Sequence, residues 1–335
     1  MENAQVILEV KGLKKHYPIK TNFLRTTIGH VKAVDGVDFY LRRGETLGLV
    51  GESGCGKTTL GRSVLRAIEP TGGEVIFDIG GTKVDITRLE PQELREIRRY
   101  MQMVFQDPYS SLDPRMTVLD IIGEPLTVGD YGGSRAQVDR VKDLMELVGL
   151  DARYLKRYPH AFSGGQRQRI GVARALATNP EFIVCDEPVS ALDLSVRSQI
   201  LNLLISLQQR LQLSYLFISH DLSVVHHISH RVAVMYVGKM VETAGTDELF
   251  TTPIHPYTEA LLSAIPTPDP RTRKQRIILQ GDIPNPAHPP SGCYFHPRCR
   301  FAKEICTVQT PQWREIRPEH FVSCHFAEDL ASRRA

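Results

Sequence analysis

Gly51–Thr58 of this 335-residue chain reads GESGCGKT, directly after the apolar run TLGLV (Thr46–Val50) and before the helix-compatible stretch Thr59–Ile68. No other feature constrains the fold as much, because G-x-x-x-x-G-K-[ST] set between a strand and a helix opens a parallel α/β unit built around a phosphate. The glycines let the loop curl so that its backbone N–H groups point inward. The following helix adds its positive N-terminal end, Lys57 a point charge for the β- and γ-phosphates, and the Thr58 hydroxyl a ligand for Mg²⁺. A bland glycine turn has no need of Lys-Thr here. The residues expected on a nucleotide are therefore Gly51, Ser53, Gly54, Cys55, Gly56, Lys57, Thr58 and Thr59.

The rest of the chain agrees with an α/β core. FIVC (Phe182–Cys185), YLFIS (Tyr215–Ser219) and VAVMY (Val232–Tyr236) join TLGLV as short apolar runs of the kind that form buried parallel strands. Val196, Ile200, Leu203, Leu204, Leu207 and Leu211 recur on one face at helical spacing, as a crossover helix requires. Alternation of Val37, Phe39 and Leu41 predicts a half-exposed antiparallel strand nearer the N-terminus. From about Asp113 to Ala177 strand signals vanish, and Val138, Val141, Leu144 and Val148 mark an amphipathic helix, so residues 113–177 read as an inserted helical subdomain. Beyond Pro253 the prolines Pro256, Pro266, Pro268, Pro270, Pro284, Pro286, Pro289 and Pro290 break regular structure, which divides the chain into 1–252 and an extension, 253–335.

Composition removes several alternatives. A formal net charge of +3 without a clustered basic tail argues against nucleic acid as a partner. No run approaches the roughly 20 apolar residues of a membrane span, and the N-terminus lacks the pattern of a signal peptide, so the chain is expected in the cytoplasm. There, six cysteines are not expected to pair as structural disulfides.

Asp186 and Glu187 end the FIVC strand and should emerge at the carboxyl edge of the sheet, where α/β proteins bind ligands. Asp186 suits a Mg²⁺ contact, and Glu187 can polarise an attacking water. Further on the same theme, Ser163 can cap a helix that starts at Gly164 or Gly165, and that helix end can face a phosphate.

Ordered together, GESGCGKTT, Gln106 in VFQDP, FSGGQ (Phe162–Gln166), FIVCDEP and His220 resemble the nucleotide-binding subunit of ATP-binding cassette transporters, with Phe162 where Leu is commoner. The resemblance covers the first 250 or so residues. It implies a RecA-like P-loop NTPase cassette with an antiparallel β subdomain and an inserted α-helical subdomain. It also implies Tyr17 stacking on adenine, Gln106 on Mg²⁺ and water, His220 on the γ-phosphate, and Asp193 of the Ser190–Asp193 loop at a dimer interface. Ser163, Gly164, Gly165 and Gln166 would meet the ATP of an opposite cassette, so the functional unit would be a dimer. The presence of Glu187 and His220 implies an active ATPase.

HPYT (His255–Thr258), GDIPNP and PPSGCYFHPRC resemble the C-terminal extension of oligopeptide and dipeptide importer ATPases, and the Lys15–Pro18 opening that of the second of their two ATPase subunits. The implied partners are a sister cassette (a different chain or a copy of this one), two transmembrane permeases and, indirectly, an external peptide-binding protein, at the cytoplasmic membrane face. Pro108, Tyr109, Leu112 and Pro114 are expected to form the permease-facing surface. Nickel chelates, glutathione or sugars are alternative cargoes, and a soluble cassette ATPase or a redox protein are the alternative classes. Cys293, Cys299, Cys306 and Cys324, spaced C-x5-C-x6-C-x17-C, are compatible with a [4Fe–4S] cluster, with zinc, or with free thiols or a disulfide, and His296, His320 or His325 could replace one thiol. Family members with a cluster in this tail favour iron–sulfur. A proline-broken tail that buries little apolar surface would draw folding energy from such bonds.

Overall fold

The computed structural model describes residues 5–20, 26–129, 132–265 and 276–332; Pro266, Pro268 and Pro270 lie outside them. The strands are β1 (Val6–Lys20), β2 (Thr27–Arg42), β3 (Thr46–Val50), β4 (Gly72–Ile79), β5 (Thr82–Asp85) and β6 (Met101–Val104). They continue as β7 (Phe182–Asp186), β8 (Ser214–Ile218), β9 (Arg231–Tyr236), β10 (Lys239–Gly245), β11 (Arg314–Arg317) and β12 (His320–Val322). The helices are α1 (Lys57–Val64), α2 (Pro91–Ile97), α3 (Val118–Val128), α4 (Ser134–Leu147), α5 (Gly164–Leu176) and α6 (Leu194–Leu211). After these come α7 (Leu222–Ile228), α8 (Thr246–Thr251), α9 (Pro256–Ser263), α10 (Glu304–Val308) and α11 (Ala327–Ser332). Strands β2, β1, β4 and β5, in that order, form a four-stranded sheet, and Val37, Phe39 and Leu41 are its buried alternate positions on β2.

The chain folds as two compact units, one holding Leu41–Glu45 and Phe77–Ile218, the other Glu9–Tyr40, Thr46–Ile76 and the chain from Ser219 onward. In the first, β6, β7 and β8 lie parallel, with Val104 opposite Cys185 and Asp186 opposite Ile218. Every residue of β7 and β8 is buried, which explains why these strands read as unbroken apolar runs. Ile200, Leu204 and Leu207 supply the buried face of α6, while Leu211 at its end is exposed. No strand interrupts the described chain between β6 and β7, where α3, α4 and α5 lie.

In the second unit β3 runs parallel to β9, which turns back into antiparallel β10. The extension then contributes structure that its prolines conceal. Strand β12 pairs antiparallel with β10, Val322 opposite Glu242, and β11 pairs with β12. Ile254, Val322, Ala327, Leu330 and Ala331 form a closed apolar cluster, flanked by Phe301, Ile316, Cys324 and Phe326. The expectation of a tail with little apolar burial is therefore corrected. Its strands have only 4 and 3 residues, too short to leave a period-2 signature, and the β10 edge does the templating.

Candidate functional site

In the second unit, Gly51–Gly56 form the turn between β3 and α1, with Gly51, Gly54 and Gly56 at positive φ. Gly56 cannot be replaced: its φ is +107°, and an added Cβ would stand 2.0 Å from the Ala33 carbonyl oxygen. Cys55 is buried, and burial pushes its thiol upward despite Lys57 nearby, which suits a small space-filling side chain. The Lys57 ammonium, itself buried, donates to the carbonyls of Gly51 at 2.8 Å and Glu52 at 3.1 Å, which holds its charge across the loop. Ser53 and Gly54 are exposed, and Thr58 and Thr59 half-buried on the first turn of α1. Tyr17 lies exposed on β1 with the Lys15 ammonium 4.9 Å above its ring. His220 is exposed in the turn before α7, whose N-terminus Asp221 caps by accepting from Ser223 and Val224 N–H.

In the first unit the two residues of the acidic pair differ in setting. Asp186 is buried at the end of β7, whereas Glu187 is half-buried and adopts φ +45°, a left-handed conformation that costs a residue with a Cβ of order 1–3 kcal/mol. The structure holds it there through Glu187 N–H to Ile218 O at 3.0 Å and through Ser190, whose hydroxyl donates to Glu187 O at 3.1 Å. The Gln106 amide donates to a Glu187 carboxylate oxygen at 3.0 Å. Gln106 and Glu187, 81 positions apart in sequence, are thus brought together.

Ser163 caps α5 as expected, with a reciprocal box: Gln166 N–H donates to its hydroxyl at 3.3 Å and Ser163 N–H to the Gln166 side-chain oxygen at 3.0 Å. Gly164 and Gly165 form the first turn, and a Cβ on Gly165 would sit 2.3 Å from a Val196 methyl on α6. Asp193 is exposed at the entry to α6, where its carbonyl accepts from Arg197 N–H at 2.8 Å.

The expected permease-facing surface is corrected in part. Leu112 is 2 % exposed and Pro108 is buried, so both are packing residues; Tyr109, 59 % exposed, Pro114 and Phe105 are what the segment presents. Sequence reasoning missed the arginines that fasten this segment to α5. Arg167 lies 4.2 Å over the Tyr109 ring, and Arg174 donates to Ser111 O at 2.7 Å while facing the Phe105 ring. Their positions in QRQRIGVARAL were visible, but nothing local named their partners.

Equally unforeseen is the clasp on Glu52, the second residue of the phosphate loop. Its N–H donates to the fully buried Tyr257 of HPYT at 2.9 Å, and its carboxylate takes a bidentate pair from Arg298 at 2.7 and 3.0 Å. Buried Glu242 organises the same motif by accepting from Ile254 N–H at 2.6 Å and His255 N–H at 3.0 Å.

The four tail cysteines are free thiols. Burial, reinforced by their mutual charge, pushes Cys293 up to about 11 and Cys324 up to about 12, and Cys324 senses Cys293, Cys299 and Cys306 together. Among the described residues no three His, Cys, Asp or Glu side chains stand together as a group that could hold a metal ion. His320 is removed from the candidate ligands, since both ring nitrogens are engaged, Nε2 with Glu242 at 2.7 Å and Nδ1 with Glu248 at 2.8 Å. His296 and His325 face the carbonyls of Cys293 and Gln309. No helix among the described residues is long and apolar enough to cross a membrane.

Comparison with known proteins connects these features. The ABC transporter family model matches residues 34–190, and the oligopeptide/dipeptide transporter C-terminal region model matches residues 241–306. The chain is 52 % identical over 326 residues to the oligopeptide transport ATP-binding protein AppF of Bacillus subtilis, covering 96 % of this chain and 98 % of that protein. The dimeric cassette MJ0796, solved in a post-hydrolysis state with ADP and phosphate, superposes with a TM-score of 0.62 at 28 % identity, over 72 % of this chain and 99 % of that one. Clostridium perfringens cbiO1, part of the transporter complex cbiONQ, gives a TM-score of 0.61 at 26 % identity, over 73 % of this chain and 91 % of its own. With both family models matched and 52 % identity to AppF over nearly the whole of each chain, the chain belongs to the ATP-binding cassette ATPases of the oligopeptide/dipeptide transporter family.

Proposed function

We propose that this protein hydrolyses ATP to drive uptake of di- or oligopeptides, working from the cytoplasmic membrane face with a sister cassette and two permease subunits. The observation that carries the catalytic reading is the Gln106–Glu187 contact at 3.0 Å, on a Glu187 backbone held left-handed. An amide that grips one carboxylate oxygen fixes the direction of the other, which is what a water-polarising base needs. Gln106 adjoins Phe105 and lies close to Tyr109, so a permease that presses on this exposed segment has a short path to Glu187.

The remaining roles follow from side-chain chemistry. The loop from Gly51 to Gly56 offers backbone N–H groups to the phosphates, Lys57 their counter-charge, Tyr17 a platform for adenine and His220 a γ-phosphate contact. Mg²⁺, when bound, neutralises developing phosphate charge, and Thr58, Gln106 and Asp186 are the residues suited to hold it. The capped, exposed turn at Ser163–Gln166 supports a role toward the nucleotide of a second cassette, with Asp193 beside that interface. We favour a different chain as that second cassette. The extension from residue 253 is read as a separate functional appendage.

We also read Cys293, Cys299, Cys306 and Cys324 as ligands of a [4Fe–4S] cluster, with zinc as the alternative. The charge of neighbouring thiols on Cys293, Cys299 and Cys324 supports it, as do the backbone N–H groups of Phe295, Phe301 and Phe326 directed at the same three sulfurs. A cluster would supply bonds that tie the tail together. Anaerobic purification tests this: brown protein with iron and sulfide near four per chain is expected, and colourless protein with one zinc would replace the cluster by zinc. The transport reading is tested by co-expression with the neighbouring membrane subunits. Stable co-purification and peptide-stimulated ATPase in the reconstituted assembly are expected, and ATPase indifferent to both partners and peptide would refute import.

A further inference from the structure

The turn between Cys293 and Cys299 sends two side chains toward the nucleotide-binding end of the second unit. Arg298, 7 % exposed, pairs bidentately with Glu52 and also reaches the Tyr236 hydroxyl at 3.3 Å. Glu52 is held at every polar group: its N–H by Tyr257, its carboxylate by Arg298, and its carbonyl by the Lys57 ammonium at 3.1 Å. The Glu52 carbonyl that holds Lys57 therefore belongs to a residue tied to Arg298, 246 positions from Glu52.

Tyr294 makes the second arm. Its hydroxyl donates to Asp35 at 2.9 Å, Asp35 N–H donates to Gly238 O at 2.8 Å, and Gly238 N–H donates to Cys55 O at 2.9 Å. The other Asp35 oxygen faces His16 Nε2 at 3.0 Å, next to Tyr17, while Lys239 Nζ lies 3.3 Å from the oxygen that Tyr294 binds. The turn itself is pinned by Cys293 N–H to Cys306 O at 2.8 Å.

We propose that residues 294–298 of the extension form a two-point brace of the phosphate loop, in which Arg298 and Tyr294 are positioning residues for ATP binding. Arg298 acts on Glu52 directly, and Tyr294 acts on Cys55 through Asp35 and Gly238. A phosphate loop must present its N–H groups and lysine in one arrangement, so a loop fixed from outside loses less freedom when nucleotide binds. The extension thereby becomes part of the ATP site's support and not only an appendage. This inference rests on the reading of Gly51–Thr58 as the ATP loop.

The test is titration of the full-length protein with the fluorescent nucleotide mant-ATP and Mg²⁺, for Arg298→Ala, Arg298→Lys, Tyr294→Phe, Glu52→Ala and the Arg298→Ala/Glu52→Ala pair, with Lys57→Ala as control. Loss of a charge-assisted contact should weaken mant-ATP binding about tenfold in Arg298→Ala, with a smaller loss in Tyr294→Phe. The double variant should be no weaker than Arg298→Ala alone, because both act through one pair. In the assembled transporter the defect should fall on KM and spare kcat, which a general loss of stability would not reproduce. Should Arg298→Ala fail to fold, Arg298→Lys and Tyr294→Phe decide. Folded variants with wild-type affinity, or strictly additive effects, overturn the brace while Lys57→Ala still abolishes binding. If Lys57→Ala binds normally, the ATP-loop reading fails and the brace with it.

Discussion

Replacing His320 by alanine should loosen the extension from the sheet, and the structure sets the size of the effect. Glu242 is completely buried on β10, and its carboxylate meets two backbone N–H groups and His320 Nε2. Glu248 bonds the other ring nitrogen, and Arg317 approaches Glu248 at 3.8 Å. Removing the imidazole takes the paired His320 side chain from a buried carboxylate, a change that costs about 3 kcal/mol, since breaking buried pairs typically costs 3–5 and two N–H donors remain. At about 1.4 kcal/mol per factor of ten, amides of β12 should exchange roughly a hundredfold faster, read by hydrogen exchange with mass spectrometry. Burial alone would lower the pKa of His320, but hydrogen bonds and charge from Glu242 and Glu248 outweigh it, and the net direction is upward. The protonated ring therefore favours the folded tail. Its contribution is complete below the ordinary histidine value of about 6.5 and is lost as pH rises through the higher folded value. Wild-type β12 should lose protection across that window, and His320→Ala should not show this step. An exchange increase below about fivefold, or an unchanged pH step, would refute the reasoning.

Three further outcomes are expected. Gly165→Ala drives a Cβ to 2.3 Å from Val196, so it should tilt the start of α5 and cut ATPase in the assembled transporter, with Val196→Ala in the same chain restoring part of the rate. Gly56→Ala combines positive φ with a 2.0 Å approach to Ala33 O, and should abolish mant-ATP binding. Ser163→Ala removes the capping box and should destabilise α5 by about 1 kcal/mol, measured by hydrogen exchange of its first turn.

Much of this site was legible because its signals are local. A five-residue buried strand, a glycine turn and Lys57 occupy adjacent positions, and Ser163 with Gln166 closes its box within one turn. The β7 strand ending at Asp186, with Glu187 next in the chain, was equally plain. What stayed hidden depends on partners distant in sequence. Arg298 looks like any tail arginine until Glu52 is beside it, and His320 resembles a metal ligand until Glu242 and Glu248 occupy both nitrogens. Leu112 failed as a surface residue for a similar reason: composition marked it as apolar, but only packing shows that it faces inward. The short β11 and β12 strands form because β10 offers an edge, information absent from their own residues.

The account stands or falls on Glu187 as the residue that activates water. Glu187→Gln preserves size and the capacity to hydrogen-bond with Gln106 but removes the charge. Measured as phosphate release by the complete transporter with peptide present, this variant should lose at least about a hundredfold in rate while mant-ATP affinity stays near wild type. Hydrolysis at the wild-type rate by the complete transporter carrying this variant would contradict the assignment.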